Sequence, residues 1–361
     1  MTKYIIRRVI QAIPLLILIN IFIFGLLKLA GDPFAAQMID PNVSEEDMAY
    51  RRRAAGLDDP IPVQFLHWYI GDDWYQRDLR PNNDPCVTDA SITCSWGDFD
   101  DEPDTAGTRK GILRGDFGSS LRFNRPVMEV ISDRLPNTLI LAFTALITTI
   151  LLGVAIGMLA ALKPYSIFDN IVTAFSFITF SMPIFLIALL AVFLFSVKFK
   201  DWGLPSLPTQ GMYDPRGDRS IDELLVRLIL PTFSLAAIQI AAYSRFIRAS
   251  MLEAIHSDYI RTARAKGLKN SRIILVHAFK NASFPLITLV ALDIPAYLSG
   301  AVVTETIFSW PGMGKLFIDS LTNLDPPILL AFTLFVAISV VVFQLLADIV
   351  YAWIDPRVRY T

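Results

Sequence analysis

The chain has 361 residues, 53% of them apolar and only 18% charged, with a mean hydropathy of +0.48 and a formal net charge of −2. Such hydrophobicity excludes a disordered chain, and 32 basic against 34 acidic residues leave no global basic field to hold nucleic acid. Two cysteines and three histidines are too few for a Cys/His metal cage.

A bilayer-spanning helix needs about 20 mostly apolar residues. The first such run, residues 9–30, follows Lys3, Arg7 and Arg8. It is about twice as long as the apolar core of a signal peptide, and no clear A-x-A cleavage site follows, so it is read as an uncleaved first helix. Residues 31–135 form a long polar segment with 20 acids and 11 bases. Within it, residues 71–110 hold ten acids and four bases, together with Trp74, Tyr75, Trp96 and both cysteines. Cys86 and Cys94 lie eight positions apart. A small disulfide loop is permitted there if the segment is extracytoplasmic, and two free thiols in an irregular loop are the alternative. No metal site is expected, because His67 is the one histidine in the segment.

Apolar runs continue at 139–162, 171–197, 228–244, 282–303 and 328–347, so six spans are expected. On the second run Gly153, Gly157 and Ala161 form a row of small residues that predicts close helix packing. Pro183, Pro231 and Pro285 predict kinks. Residues 245–280 carry Arg245, Arg248, Arg261, Arg264, Lys266, Lys269, Arg272 and Lys280 against two acids, Glu253 and Asp258. By the positive-inside rule this segment is cytoplasmic. The basic N-terminus and the tail with Arg357 and Arg359 agree if both termini are cytoplasmic. Residues 31–135, 202–225 and 310–325 then fall outside. The expected fold class is an all-α integral membrane protein.

Catalytic signatures are few. Pro311-Gly312-Met313-Gly314-Lys315-Leu316 is no phosphate loop: Ser309 stands where its first glycine belongs and Leu316 where Ser or Thr belongs. No ATP hydrolysis by this chain itself is expected. The stretch around Asp258 looks built for docking. Ser257 is placed to cap a helix from Asp258 to Lys266, with Asp258 at its positive end and Gly267 free to take a left-handed cap. Tyr259, Thr262, Ala263 and Lys266 fall on one stripe. A bland connector lying on the membrane surface would show the same pattern.

The run Asp258-Tyr259-Ile260-Arg261-Thr262-Ala263-Arg264-Ala265-Lys266-Gly267-Leu268 resembles the cytoplasmic EAA-type loop of binding-protein-dependent ABC importer permeases, in its dipeptide/oligopeptide permease version. Arg261, Thr262 and Ala263 take the place of Glu-Ala-Ala, and Gly267 is the loop glycine. His277 to Ala282 followed by Pro285, Thr304 to Gly314, and Asp355 to Arg359 resemble further signatures of that family. So do Tyr4 to Arg8, Gly31-Asp32-Pro33, Gly115 to Ser120, Arg125-Pro126-Val127 and Arg134-Leu135-Pro136. The resemblance covers nearly the whole chain in the family's order. It implies a type I importer permease fold whose pore is shared with a second, homologous permease subunit. It also implies two ATPase subunits carrying ATP and Mg, an external binding protein, and a bacterial or archaeal inner membrane as location. Asp258, Tyr259, Arg261, Thr262, Ala263, Arg264, Lys266 and Gly267 would form the ATPase-coupling helix, and short peptides would be the cargo. Nickel chelates, glutathione or oligosaccharides are carried by other family members.

Two departures stand out. Residues 71–110 are inserted where most relatives connect directly, either as a solvated loop or as a lid or docking surface. In the fifth run Asp293 replaces the family's usual Gln, and Pro295 its usual Gly. A carboxylate at mid-membrane costs roughly 2.5–3.5 kcal/mol on insertion scales. Asp293 either lines the translocation path, attracting a cationic group, or is protonated or paired at a subunit interface. As an intramembrane carboxylate it also admits an ion-coupled secondary transporter as an alternative class. The expected organisation is an N-terminal segment and first span (1–30), an extracytoplasmic region (31–135), a permease core (134–348) with its coupling loop at 245–280, and a cytoplasmic tail (349–361).

Overall fold

The computed structural model describes residues 2–31, 52–53, 55–74, 76–77, 105–106, 109–217 and 219–354. Cys86, Cys94 and the tail from Asp355 lie outside the described residues. Among the described residues the longer helices are α1 Thr2–Ala30, α2 Ile61–Ile70, α3 Val127–Leu162, α4 Ile167–Ser181, α5 Ile184–Val192, α6 Ile221–Ile255, α7 Asp258–Ala265, α8 Phe284–Ile307, α9 Met313–Thr322 and α10 Pro326–Ile354. Among the described residues, α5 runs on through a π-helical stretch, Phe193–Lys198, into Phe199–Asp201, a second π-helical stretch, Ile273–Ala278, joins Asn270–Arg272 to Phe279–Ala282, and a two-residue antiparallel ladder pairs Gln76–Arg77 with Thr105–Ala106.

Local chemistry sets the boundaries. Ser166 caps α4 by accepting the Asp169 N–H, and Ser220 caps α6 by accepting the Glu223 N–H. Acidic residues stand in both first turns, where the helix dipole favours them. Among the described residues four helical stretches are long and apolar enough to cross a membrane: Ile10–Leu29, Val127–Leu162, Ile221–Ile255 and Pro326–Leu346. A fifth arises if the helix pair at 167–201, bent by 111°, counts as one span. The third apolar run is therefore not one straight helix. Pro183 cannot donate a helical hydrogen bond and pushes Met182 into an extended conformation (φ −93°, ψ 136°), so the chain breaks there. The other prolines behave differently. Pro231 is accommodated inside the continuous 35-residue α6. Pro285 sits in the first turn of α8, where a missing N–H breaks no bond.

The chain divides into two compact units. The larger comprises residues 1–12, 133–318 and 335–361. Its core joins Leu141 and Ala145 of α3, Leu235 and Ala236 of α6, Tyr297 and Ala301 of α8, and Trp310. Gly153 and Gly157 let α3 and α6 touch. A Cβ on Gly153 would lie 2.8 Å from Tyr243 Cβ, and one on Gly157 2.6 Å from the Ser244 carbonyl oxygen.

The smaller unit comprises residues 13–132 and 319–334. Phe24, Trp68 and Leu330 form its core, flanked by Phe65, Tyr69 and Ile112. The segment between Gly71 and Gly111 is pinched at its base. Asp72 and Arg109 exchange two hydrogen bonds of 2.9 Å through their backbone and the Asp72 carboxylate, and the Arg109 guanidinium stands 3.2 Å from Asp72 Oδ2. Gly71 and Gly111 have φ of +103° and +81°, and a Cβ on Gly111 would fall 2.3 Å from the Gly71 nitrogen. Only glycines permit that approach. Beside this neck Arg114 grips Asp73 through two hydrogen bonds of 2.7 and 2.6 Å, which hold the Asp73 carboxyl below the usual carboxylate range.

Candidate functional site

The basic segment after α6 folds as a short, sharply bounded helix. Ser257 occupies the position before α7 in extended conformation, yet its hydroxyl donates to the Ala254 carbonyl at 2.5 Å and makes no cap bond to α7. The expected side-chain cap is thus replaced: the hydroxyl bonds back to the Ala254 carbonyl at the end of α6, which also accepts the Ser257 N–H at 3.1 Å. The other end is closed by the backbone. The Gly267 N–H bonds the Arg264 carbonyl at 2.9 Å and the Leu268 N–H bonds that of Ala263 at 3.4 Å, with Gly267 at φ +72°. This is a Schellman arrangement. Lys266 stands just past the last helical residue, Ala265.

The faces of α7 differ in chemistry. Ile260 and Ala263 are buried in a cluster with Tyr243, Ile247, Met251 and Ala254 of α6, Ile273 and Ala278, and Leu286 of α8. Asp258, Tyr259, Arg261, Thr262, Arg264 and Lys266 are exposed. The stripe Tyr259, Thr262, Ala263 and Lys266 is therefore not one face: Ala263 turns inward and the others outward. Arg261 lies 3.6 Å from Asp258, an exposed pair that contributes little.

What holds the end of α6 is a set of contacts to α4. Arg248 donates to both oxygens of the buried Asp169, at 2.5 and 2.6 Å, and the Tyr165 N–H donates to the same carboxylate at 2.7 Å. One turn earlier the Arg245 guanidinium lies over the rings of Phe177 and Phe180, 5.0 and 5.7 Å from their centroids. Asp169 was not singled out in the sequence, where a lone acid beside an apolar run gives no sign of its partner.

Asp293 is half-buried on α8. Its Oδ2 accepts a hydrogen bond of 2.8 Å from the Tyr243 hydroxyl of α6. One turn on, the Tyr297 hydroxyl pairs with Thr149 Oγ1 of α3 at 2.6 Å. The same face of α8 is thus bonded to two neighbouring helices. Among the described residues no group of three or more His, Cys, Asp or Glu side chains could hold a metal.

A second buried carboxylate, Glu305, explains the stretch from Thr304 to Gly314. Oε1 accepts from Thr138 Oγ1 at 2.7 Å, and Oε2 accepts the backbone N–H groups of Gly314 and Lys315 at 2.7 and 3.0 Å. The amides that a phosphate loop would offer to a nucleotide serve a carboxylate of the chain itself. Trp310 Nε1 donates to the Asn137 carbonyl at 2.9 Å, and Asn137 Nδ2 to that of Pro311 at 2.8 Å.

Long apolar helices joined through a short basic surface helix are the pattern of a multi-pass membrane protein. The chain belongs to the family of binding-protein-dependent transport system inner membrane components, matched over residues 153–360, and residues 1–92 match the N-terminal region characteristic of such membrane components. It is 38% identical over the full length of both chains to the oligopeptide transport system permease protein AppB of Bacillus subtilis (strain 168). It is 33% identical to the dipeptide transport system permease protein DppB of Escherichia coli (strain K12), over 100% of this chain and 99% of that one. Among solved structures, the inward-facing MetNI methionine ABC transporter is similar at a TM-score of 0.49 and 15% identity, over 63% of this chain and 97% of that chain.

Proposed function

We propose that this chain is one of two permease subunits of an ATP-driven importer that carries short peptides across the inner membrane of a bacterium or archaeon. The observation that carries this reading is α7, a helix closed by a Schellman turn whose apolar face is buried with α6 and α8 and whose charged face is free for a partner. A helix seated in this way moves with the spans behind it, so a push on its outer face is passed on rather than absorbed. Asp258, Tyr259, Arg261, Thr262, Arg264 and Lys266 would meet an ATPase subunit, which supplies ATP and Mg, with Ala263 and Gly267 fixing the helix in place. The names of AppB and DppB support peptides as cargo.

In this reading the chain crosses the membrane six times with both termini inside. A second, homologous permease completes the pore, and an external binding protein delivers substrate to the face that carries residues 31–135. Asp293 lies on the translocation path and attracts the cationic end of a peptide. The chain itself holds no cofactor. ATP-dependent uptake of a labelled short peptide into proteoliposomes, with the co-purified partners and the binding protein present, tests the proposal. Uptake supports it. A complex that hydrolyses ATP but moves no peptide removes the cargo, and a chain that never retains an ATPase removes the reading.

A further inference from the structure

Tyr243 belongs to two arrangements at once. Its ring, 1% exposed, is packed in the cluster that also holds Ile260 and Ala263 of α7, together with Ile247 and Met251 of α6. Its hydroxyl donates to Asp293 on α8 at 2.8 Å. The ring is fixed from a second side, because Gly153 of α3 leaves no room between that helix and Tyr243 Cβ. Asp293 itself sits one turn from Tyr297, whose hydroxyl is bonded to Thr149 of α3. A displacement of α7 therefore meets close-packed side chains up to Tyr243 and Leu286, and Tyr243 adds to that packing a directional bond to Asp293 of α8. Close-packed interiors transmit such shifts instead of absorbing them.

We infer that Tyr243 is a positioning residue that carries the movement of the coupling loop to Asp293, through the hydrogen bond between its hydroxyl and the Asp293 carboxylate. The inference rests on the permease reading above and adds to it how ATP hydrolysis reaches the path. A carboxylate oxygen and an amide oxygen both accept from a phenol, so an amide at position 293 keeps the joint while removing the charge. A methyl group there removes both.

The test is the number of ATP molecules hydrolysed per peptide taken up, measured in proteoliposomes for wild type, Tyr243→Phe, Asp293→Asn, Asp293→Ala and the Tyr243→Phe/Asp293→Ala double variant. Tyr243→Phe keeps the packed ring, and the amount of ATPase co-purified with each variant reports assembly. The expected result is a ratio raised about threefold by Tyr243→Phe and by Asp293→Ala, the size set by an ordinary interhelical hydrogen bond, with no further rise in the double variant. Asp293→Asn, which keeps an acceptor for the Tyr243 hydroxyl, should raise the ratio less than Asp293→Ala does. A wild-type ratio in Tyr243→Phe, or effects that multiply in the double variant, overturns the joint while leaving the permease reading intact. A wild-type chain that retains no ATPase overturns both together.

Discussion

Glu305 is a buried acid that accepts hydrogen bonds from Thr138 and from the Gly314 and Lys315 amides, and that sets what a substitution does. Replacing it by Gln keeps the shape but turns one acceptor into a donor facing Thr138 or the Gly314 and Lys315 amides. Glu305→Gln is expected to cost about 1–3 kcal/mol, read as a lower melting temperature of the detergent-solubilised complex. Two glycines make a sharper contrast. Gly157→Ala would drive a methyl to 2.6 Å from the Ser244 carbonyl, a backbone atom that cannot step aside, whereas Gly25 has nothing within 4 Å of the same position. Gly157→Ala should therefore destabilise by roughly 1–3 kcal/mol. Gly25→Ala should be neutral or slightly stabilising in the same melting experiment.

At the scale of elements, α6 is the common member. It packs on α3 at Gly153 and Gly157, on α4 at Arg245 and Arg248, and on α8 through Tyr243, and α7 follows it directly. The Asp169–Arg248 pair ties its last turns to α4. Asp169→Asn is expected to destabilise by up to about 3 kcal/mol, the partial exposure of Arg248 keeping the loss at the low end for a buried pair. Arg248→Lys should not restore the wild-type melting temperature, because an ammonium cannot make the two-pronged contact. Much of α7 was legible in the sequence. The acid at its start and the left-handed glycine after its end are local signals, whereas the stripe read from its spacing mixed the buried Ala263 with exposed residues. The Ser257 cap was not, because the hydroxyl had a competing acceptor in Ala254 that only the geometry of two successive helices reveals. The break at Pro183 was visible as a proline, but its depth, a 111° bend in place of a kink, depends on the packing of both halves.

For the molecule as a whole, long apolar runs are legible because the bilayer sets their length, whereas the long-range pairs Asp169–Arg248, Tyr243–Asp293 and Thr138–Glu305 join residues 50 to 167 positions apart and leave no trace in spacing. The neck at residues 71–111 belongs to the same class. Its Asp73 carboxyl is held low by Arg114, so the stabilisation from this pair is present above the ordinary carboxylate range and is lost as pH falls through the lowered value. Both side chains are substantially exposed, so the loss is small. Hydrogen-exchange protection of the Asp72 and Arg109 amides, corrected for the intrinsic pH dependence of exchange, should fall modestly on acidification, and Asp73→Asn should show the lowered protection already at neutral pH.

The coupling role of α7 is tested most directly by substrate-stimulated ATP hydrolysis and peptide uptake in the Gly267→Pro complex. Proline is confined near φ −65°, lacks the N–H that closes on Arg264, and cannot adopt the +72° found here. The expected result is a complex that inserts and retains its permease partner but loses coupled hydrolysis and uptake, while wild type shows both. Wild-type uptake in the Gly267→Pro complex would contradict the coupling role of α7.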